Sequence, residues 1–202
     1  MPQAKKGTFI AFEGLDGSGE STQVALLAER LLKDGHKVLV TKEPTNNIIG
    51  GLIRGALTHE WKPTNRVIQL LYAADRGHHL QREILPALEK GFVVITDRYF
   101  WSTIAFGSLD MDPAWLEMLN EGYQLPDLAF YVNVSPKAAM GRMESSRFEL
   151  ELFEKEEKLS KISATYASLL KKYPVLTDVN GERDREVIHK EIYDACKNYF
   201  KK

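Results

Sequence analysis

Cysteine is nearly absent: Cys196 is the single one in 202 residues, which excludes an internal disulfide framework and a cysteine-built metal site. It stands in a C-terminal helical pattern and reads as a packed or partly exposed thiol. No apolar run is long enough to cross a bilayer, and the polar stretch Met1 to Lys6 lacks the apolar centre of a signal peptide. A reducing cytoplasmic setting, away from membranes, is expected. An excess of either charge is missing too, since 27 Lys and Arg face 28 Asp and Glu for a net charge of −1. Nothing in that balance announces a nucleic acid or an anionic surface as partner, so any attraction for phosphate has to be local. There is no internal repeat, low-complexity tract or Pro/Gly-rich linker, which leaves residues 1–202 as one compact domain.

What is present is the pattern of an α/β domain. Apolar, β-favouring runs occur at Thr8–Phe12, Val38–Thr41, Val93–Thr96, Leu128–Val134 and Val175–Val179. Helically spaced segments separate them, such as Val24, Leu27, Ala28, Leu31 and Leu32 before the Asp34-Gly35 stop. Near-continuous apolar strands alternating with helices predict a five-stranded parallel sheet covered on both faces. One stretch departs in composition: Met143 to Lys161 is highly charged. It is either a solvated helix with its preceding loop or a mobile lid, about residues 143–155.

The first strand runs into Gly14-Leu15-Asp16-Gly17-Ser18-Gly19-Glu20-Ser21-Thr22 and then a helix, the context a phosphate-binding loop requires. Glycines let the backbone bend tightly and bring N–H groups against phosphate oxygens, and the helix N-terminus adds unpaired donors. Ser21 is placed to put its hydroxyl on Mg²⁺. Glu20, however, stands where the loop's lysine is usual. A carboxylate there would repel phosphate unless it turns away or another cation compensates, so a Gly-rich turn without a nucleotide role remains open at this point. Asp97-Arg98-Tyr99 follows a buried strand and emerges at its carboxyl end, where open α/β sheets bind ligands. A carboxylate there can hold Mg²⁺ and a guanidinium can grip phosphate, or the pair can simply cap the next helix. Tyr72 and Arg76 share a helix face, which suits either a flat base or an aromatic–Arg surface pair. His78-His79 reads as solvent-facing, and nothing resembles a nucleophile–base dyad.

Three motifs then act as a set: F-E-G-L-D-G-S-G at Phe12 to Gly19, K-E-P at Lys42 to Pro44, and D-R-Y-x-x-S at Asp97 to Ser102. In order and spacing they resemble the thymidylate kinase family, from the first strand to about Tyr166. The resemblance implies a P-loop kinase fold, three layers α/β/α with a mobile lid, and transfer of the ATP γ-phosphoryl to dTMP with Mg²⁺. It implies that Arg98 holds the acceptor's monophosphate with Asp97 beside the metal, that Tyr72 stacks on thymine, and that Arg76 meets a base carbonyl. Arg54 would be a second cation at the acceptor phosphate, with Glu43 and Pro44 lining the acceptor site and Asp16 near a ribose hydroxyl or the metal shell. Thr103 would face the base edge and Phe106 would crowd the ribose. Gly107 departs from a glutamine common in bacterial members, so one base contact is missing or replaced. With no arginine in the loop, the family pattern puts the donor-phosphate cation in the lid, at Arg147 or Arg142. A homodimer is implied as well. Two alternatives stay open: a deoxynucleoside or other nucleotide kinase of the same class, and a nucleotide-binding protein in which Glu20 has weakened catalysis.

Overall fold

A computed structural model of the chain describes residues 7–143 and 149–201; the side chains of 149–154 lie outside it. The strands β1 (Thr8–Gly14), β2 (Val38–Lys42), β3 (Val93–Asp97), β4 (Leu128–Asn133) and β5 (Leu176–Asn180) form one parallel sheet in the order β2-β3-β1-β4-β5. All five apolar runs are therefore strands, with ends shifted: β4 stops before Val134 and β5 starts after Val175.

Strand periodicity divides the buried residues between two cores. Ile10, Phe12, Val93, Ile95, Phe130 and Val132 face α1 (Glu20–Lys33) and α9 (Arg185–Phe200), where Val24, Leu27, Leu31, Ile188, Ile192 and Cys196 meet them. On the other face Phe9, Ala11, Val94, Ala129 and Tyr131 pack against α5 (Phe100–Gly107) and α8 (Glu149–Lys172) through Tyr99, Trp101, Ile104, Ile162, Tyr166 and Leu169. This is the three-layer α/β/α arrangement. Each of these larger apolar side chains contributes about 1.5–3 kcal/mol by leaving water. Cys196 is fully buried, and burial pushes its thiol up to about 12.

Strand order fixes where a ligand can sit. The connection from β1 leads out to edge strand β2, and the one from β3 crosses to β4 on the far side of β1. The crevice outside the carboxyl ends of β1 and β3 is thus a topological switch point. The register sets Phe12 beside Asp97, and the Arg98 N–H donates to the Phe12 carbonyl at 3.0 Å. Behind β2 and β3 lie α2 (Ile48–Leu57), α3 (Asn65–His79), the π-helical turn Leu80–Ile84 and α4 (Leu85–Glu89). The remaining helices are α6 (Pro113–Leu119) and α7 (Pro136–Arg142). Among the described residues no helix is long and apolar enough to cross a membrane.

Candidate functional site: a phosphate loop joined to a nucleotide-sized cavity

The loop between β1 and α1 turns on two left-handed glycines, Gly17 at φ 82° and Gly19 at φ 93°. A Cβ on Gly17 would come 2.6 Å from the Ala139 carbonyl, so α7 lies directly against the loop. From α7, Arg142 donates to the Ser18 carbonyl and the Gly181 carbonyl, both at 2.9 Å. Both nitrogens brace backbone, so Arg142 acts here as a support of the loop. Arg147 lies outside the described residues, with the rest of 144–148 in the charged segment expected as a lid. Thr22 is exposed in the first turn of α1.

Glu20 does not project into solvent. Its side chain is 8% exposed, folds back over Gly14, and accepts from Ser18 Oγ at 2.8 Å. Its other oxygen pairs with Arg98 Nη2. Burial, with help from Asp97 and Glu13, pushes the Glu20 carboxyl up to about 8 although Arg98 pulls it down. Burial works against the charge of Arg98 in turn, but Glu20, Tyr166, Glu13 and Asp16 outweigh it and hold the guanidinium charged.

Arg98 is the centre of this crevice. It also reaches the Gly14 carbonyl and Ser102 Oγ, and Asp16 at 3.1 Å, and its guanidinium lies 5.2 Å from the Phe106 ring centre. Its φ of 74° is a left-handed conformation that costs a non-glycine residue about 1–2 kcal/mol. The Thr96 hydroxyl, donating to the Arg98 carbonyl at 2.9 Å, helps hold it there. Beneath lies Glu13, fully buried, accepting from the Tyr99 N–H at 3.0 Å, the Ser102 N–H at 3.2 Å, the Ser102 hydroxyl and the Tyr166 hydroxyl at 2.8 Å. Burial pushes its carboxyl up to about 7 against those donors and Arg98. Within the first motif Glu13 has no role assigned by sequence reasoning; its readable signal is a charge on the same strand face as Phe9 and Ala11.

Ser21 Oγ donates to Asp97 Oδ2 at 2.6 Å, which brings two hard oxygen donors together from the first turn of α1 and the end of β3. That pair fits Mg²⁺, which takes one or two protein oxygens and leaves the rest of its shell to phosphate and water. Among the described residues no cluster of three or more His, Cys, Asp or Glu forms a self-contained metal cage.

Beside Arg98 opens a cavity of about 380 Å³, walled in part by Asp16, Glu43, Pro44, Tyr72, Thr103 and Phe106. Arg76 also borders it and is no surface residue: it is 1% exposed. Its Nε donates to Glu43 at 2.9 Å, Nη2 to Thr103 Oγ1 at 2.9 Å, and Nη1 to Asn120. The guanidinium lies over Tyr99, 5.3 Å from the ring centre, which excludes a Tyr72–Arg76 surface pair. His79, expected from the sequence to face solvent, is instead buried, with Nδ1 3.1 Å from Glu43 and Nε2 2.7 Å from Thr41 Oγ1. It stands seven residues after Tyr72 and three after Arg76, hence on their helix face. Glu43 is thereby fixed between two helix residues, at a cis peptide bond to Pro44. Arg54 does not border the cavity; its guanidinium holds the Thr45 carbonyl.

A phosphate loop with an adjacent arginine at a strand end is suited to phosphoryl transfer, and the neighbouring pocket with its aromatic wall can take a flat base. Comparison with known proteins decides the family. The family model described as thymidylate kinase matches residues 12–192. The chain belongs to the thymidylate kinase family. It is 38% identical over 200 residues to a "Probable thymidylate kinase" of Pyrococcus horikoshii, covering 96% of this chain and 97% of the relative. A protein of the same description from Thermococcus kodakarensis is 36% identical, covering 91% and 94%. A "Thymidylate kinase" of Thermoanaerobacter sp. is 33% identical, covering 96% and 100%. Family membership agrees with the fold and with all three motifs at the crevice.

Proposed function

We propose that this thymidylate kinase family member transfers the γ-phosphoryl group of ATP to dTMP, giving dTDP and ADP, with Mg²⁺. The observation that carries the reading is the continuity of the site: one cavity holds Tyr72 and Arg76 and reaches Arg98 and Asp16 beside the phosphate loop. A nucleoside monophosphate laid along it would place its base against Tyr72 and its phosphate at Arg98. Phosphoryl transfer asks chiefly for in-line positioning and positive charge. Mg²⁺ on Ser21 and Asp97 would neutralise phosphate oxygens. The loop's N–H groups would take the donor phosphates with Arg142 holding the loop's shape, and Arg98 would align the acceptor. Arg76 would offer its free Nη1 hydrogen to a base carbonyl. Thr103 would act on the base edge through Arg76, and Phe106 would press on the sugar.

Lowered activity is part of the proposal. Glu20 removes the cation usual at this place and also occupies Arg98, so two positive charges are withdrawn from the phosphates. A homodimer is supported by the exposed apolar residues Ile48, Leu52 and Leu57 of α2 and Val67 and Leu70 of α3, two helices that pack together outside the sheet. A cytoplasmic setting accords with Cys196 kept as a buried thiol. The test of substrate is an acceptor panel of dTMP, thymidine, AMP and CMP with ATP, read by ADP release. The proposal expects dTMP to give the highest specificity constant; thymidine or AMP in that place would overturn it.

A further inference from the structure

Two features of the crevice go beyond phosphoryl transfer as such, and both rest on dTMP, or at least a nucleoside monophosphate, as the acceptor. The first is the use made of Glu20. Arg98 has four polar partners: Glu20, Asp16, Ser102 and the Gly14 carbonyl. Three of these line the acceptor side or belong to the strand end, but Glu20 belongs to the donor side, in the first turn of α1. Its carboxylate lies folded over Gly14, with Ser18 as its second anchor. We propose that the Glu20 carboxyl latches Arg98, so that an incoming acceptor phosphate must displace it before Arg98 can align the substrate. Glu20 is in this sense a positioning residue, acting on the acceptor through Arg98.

The second feature is Gln69. It lies on α3 three residues before Tyr72 and seven before Arg76, on the face that borders the cavity. It is 9% exposed, and its Oε1 is buried without a hydrogen-bond partner among the described residues. A buried amide left unpaired is costly unless a ligand satisfies it. Gly107 makes room for it: a Cβ there would stand 3.1 Å from both Cδ and Nε2 of Gln69. The geometry points to Gln69 as the reader of the base edge. An amide offers one acceptor and one donor side by side, which match the N3–H and a neighbouring carbonyl of thymine; rotation of the amide turns either atom to the cavity. Gln69 on α3 thus fills the space that a side chain at position 107 of α5 would take.

One set of titrations tests both, because the ligands divide the nucleotide. Thymidine, 2-deoxyribose 5-phosphate and dTMP are titrated calorimetrically, without ATP, into the parent protein, Glu20→Ala, Glu20→Gln, Gln69→Leu and Arg98→Ala, each first checked for a cooperative melt. The latch predicts that Glu20→Ala tightens the two phosphate-bearing ligands about tenfold or more, as expected when a charge-assisted contact no longer competes, and leaves thymidine unchanged. Glu20→Gln, nearly the same size, gives a smaller gain in the same direction. The gain disappears in Glu20→Ala combined with Arg98→Ala. No gain for any phosphate ligand, or a gain that survives loss of Arg98, overturns the latch. For Gln69, the substitution to leucine weakens the two base-bearing ligands about tenfold and spares 2-deoxyribose 5-phosphate. Equal loss for all three ligands, or none, overturns that role. If the parent and both Glu20 variants bind dTMP no better than 2-deoxyribose 5-phosphate, the thymine assignment fails while the latch is still judged on the phosphate ligands.

Discussion

Replacing Arg76 by methionine separates the fold from the substrate pocket. The guanidinium is 1% exposed and the Glu43 side chain 3%, with 2.7 Å between Nη2 and Oε2. Removing the arginine leaves a buried carboxylate with His79 as its remaining ionisable neighbour, and unpairs Asn120 and Thr103 as well. Breaking a buried pair from one side costs about 3–5 kcal/mol. For a chain of this size each kcal/mol shifts the melting temperature by about 2–4 °C, so Arg76→Met should lower Tm by roughly 6–20 °C. Combining it with Glu43→Leu removes the stranded charge, and an apolar pair in place of an ion pair is often neutral. The double variant should therefore recover at least half of the loss in a calorimetric melt, yet still bind dTMP poorly, since the hydrogen offered to the base is gone. A single variant that melts within about 2 °C of the parent would refute the buried network. Full dTMP affinity in the double variant would remove Arg76 from the base pocket.

Tyr72→Ala should weaken dTMP by about 1–3 kcal/mol, the usual value of a base stacked on an aromatic ring, with ATP affinity unchanged; equal losses for both ligands would indicate damage to α3. Glu20→Lys should raise kcat at least about tenfold at saturating ATP and Mg²⁺, since it restores one cation and releases another. A kcat unchanged or lowered would mean that the charge is supplied elsewhere. The Glu13 carboxyl is raised from 4.5 to about 7 on folding, so the native state holds that proton more tightly than the unfolded chain does. Its contribution is therefore greatest at low pH, declines as pH rises from about 4.5 to about 7, and is level above, by up to about 3 kcal/mol in all. Urea midpoints from pH 4 to 8 should show the decline, and Glu13→Gln should make it shallower below about pH 7, the remainder belonging to Glu20, whose carboxyl is raised to about 8; an equal slope in both proteins would contradict the assignment.

The sheet is legible in the sequence because β1, β3 and β4 are buried on both faces and so are written as continuous apolar runs, while the partly exposed edge strands β2 and β5 are marked by short β-favouring runs between helical segments. The phosphate loop is legible because glycines, strand and helix follow one another within a dozen residues. Long-range pairing is not. Arg76 finds Glu43, Asn120 and Thr103 at separations of 33, 44 and 27 residues, and no local periodicity records which carboxylate meets which guanidinium. The same holds for Glu20, whose choice between turning away and facing phosphate is settled by Arg98 arriving from β3. His79 misleads through its neighbours Gly77 and His78, although its spacing from Tyr72 and Arg76 already puts it on the buried face. Gln69 is silent for the opposite reason: a lone glutamine in a helix carries no signal until its burial is known.

The central claim is a group transfer, and the most direct measurement follows the group itself. Phosphorus NMR of the protein with ATP, Mg²⁺ and dTMP should show the dTMP resonance replaced by those of dTDP, in step with conversion of ATP to ADP, and Arg98→Ala should slow this by at least about a hundredfold while melting cooperatively. ATP consumed with release of inorganic phosphate and no dTDP, or dTDP formed equally fast without Arg98, would contradict the account.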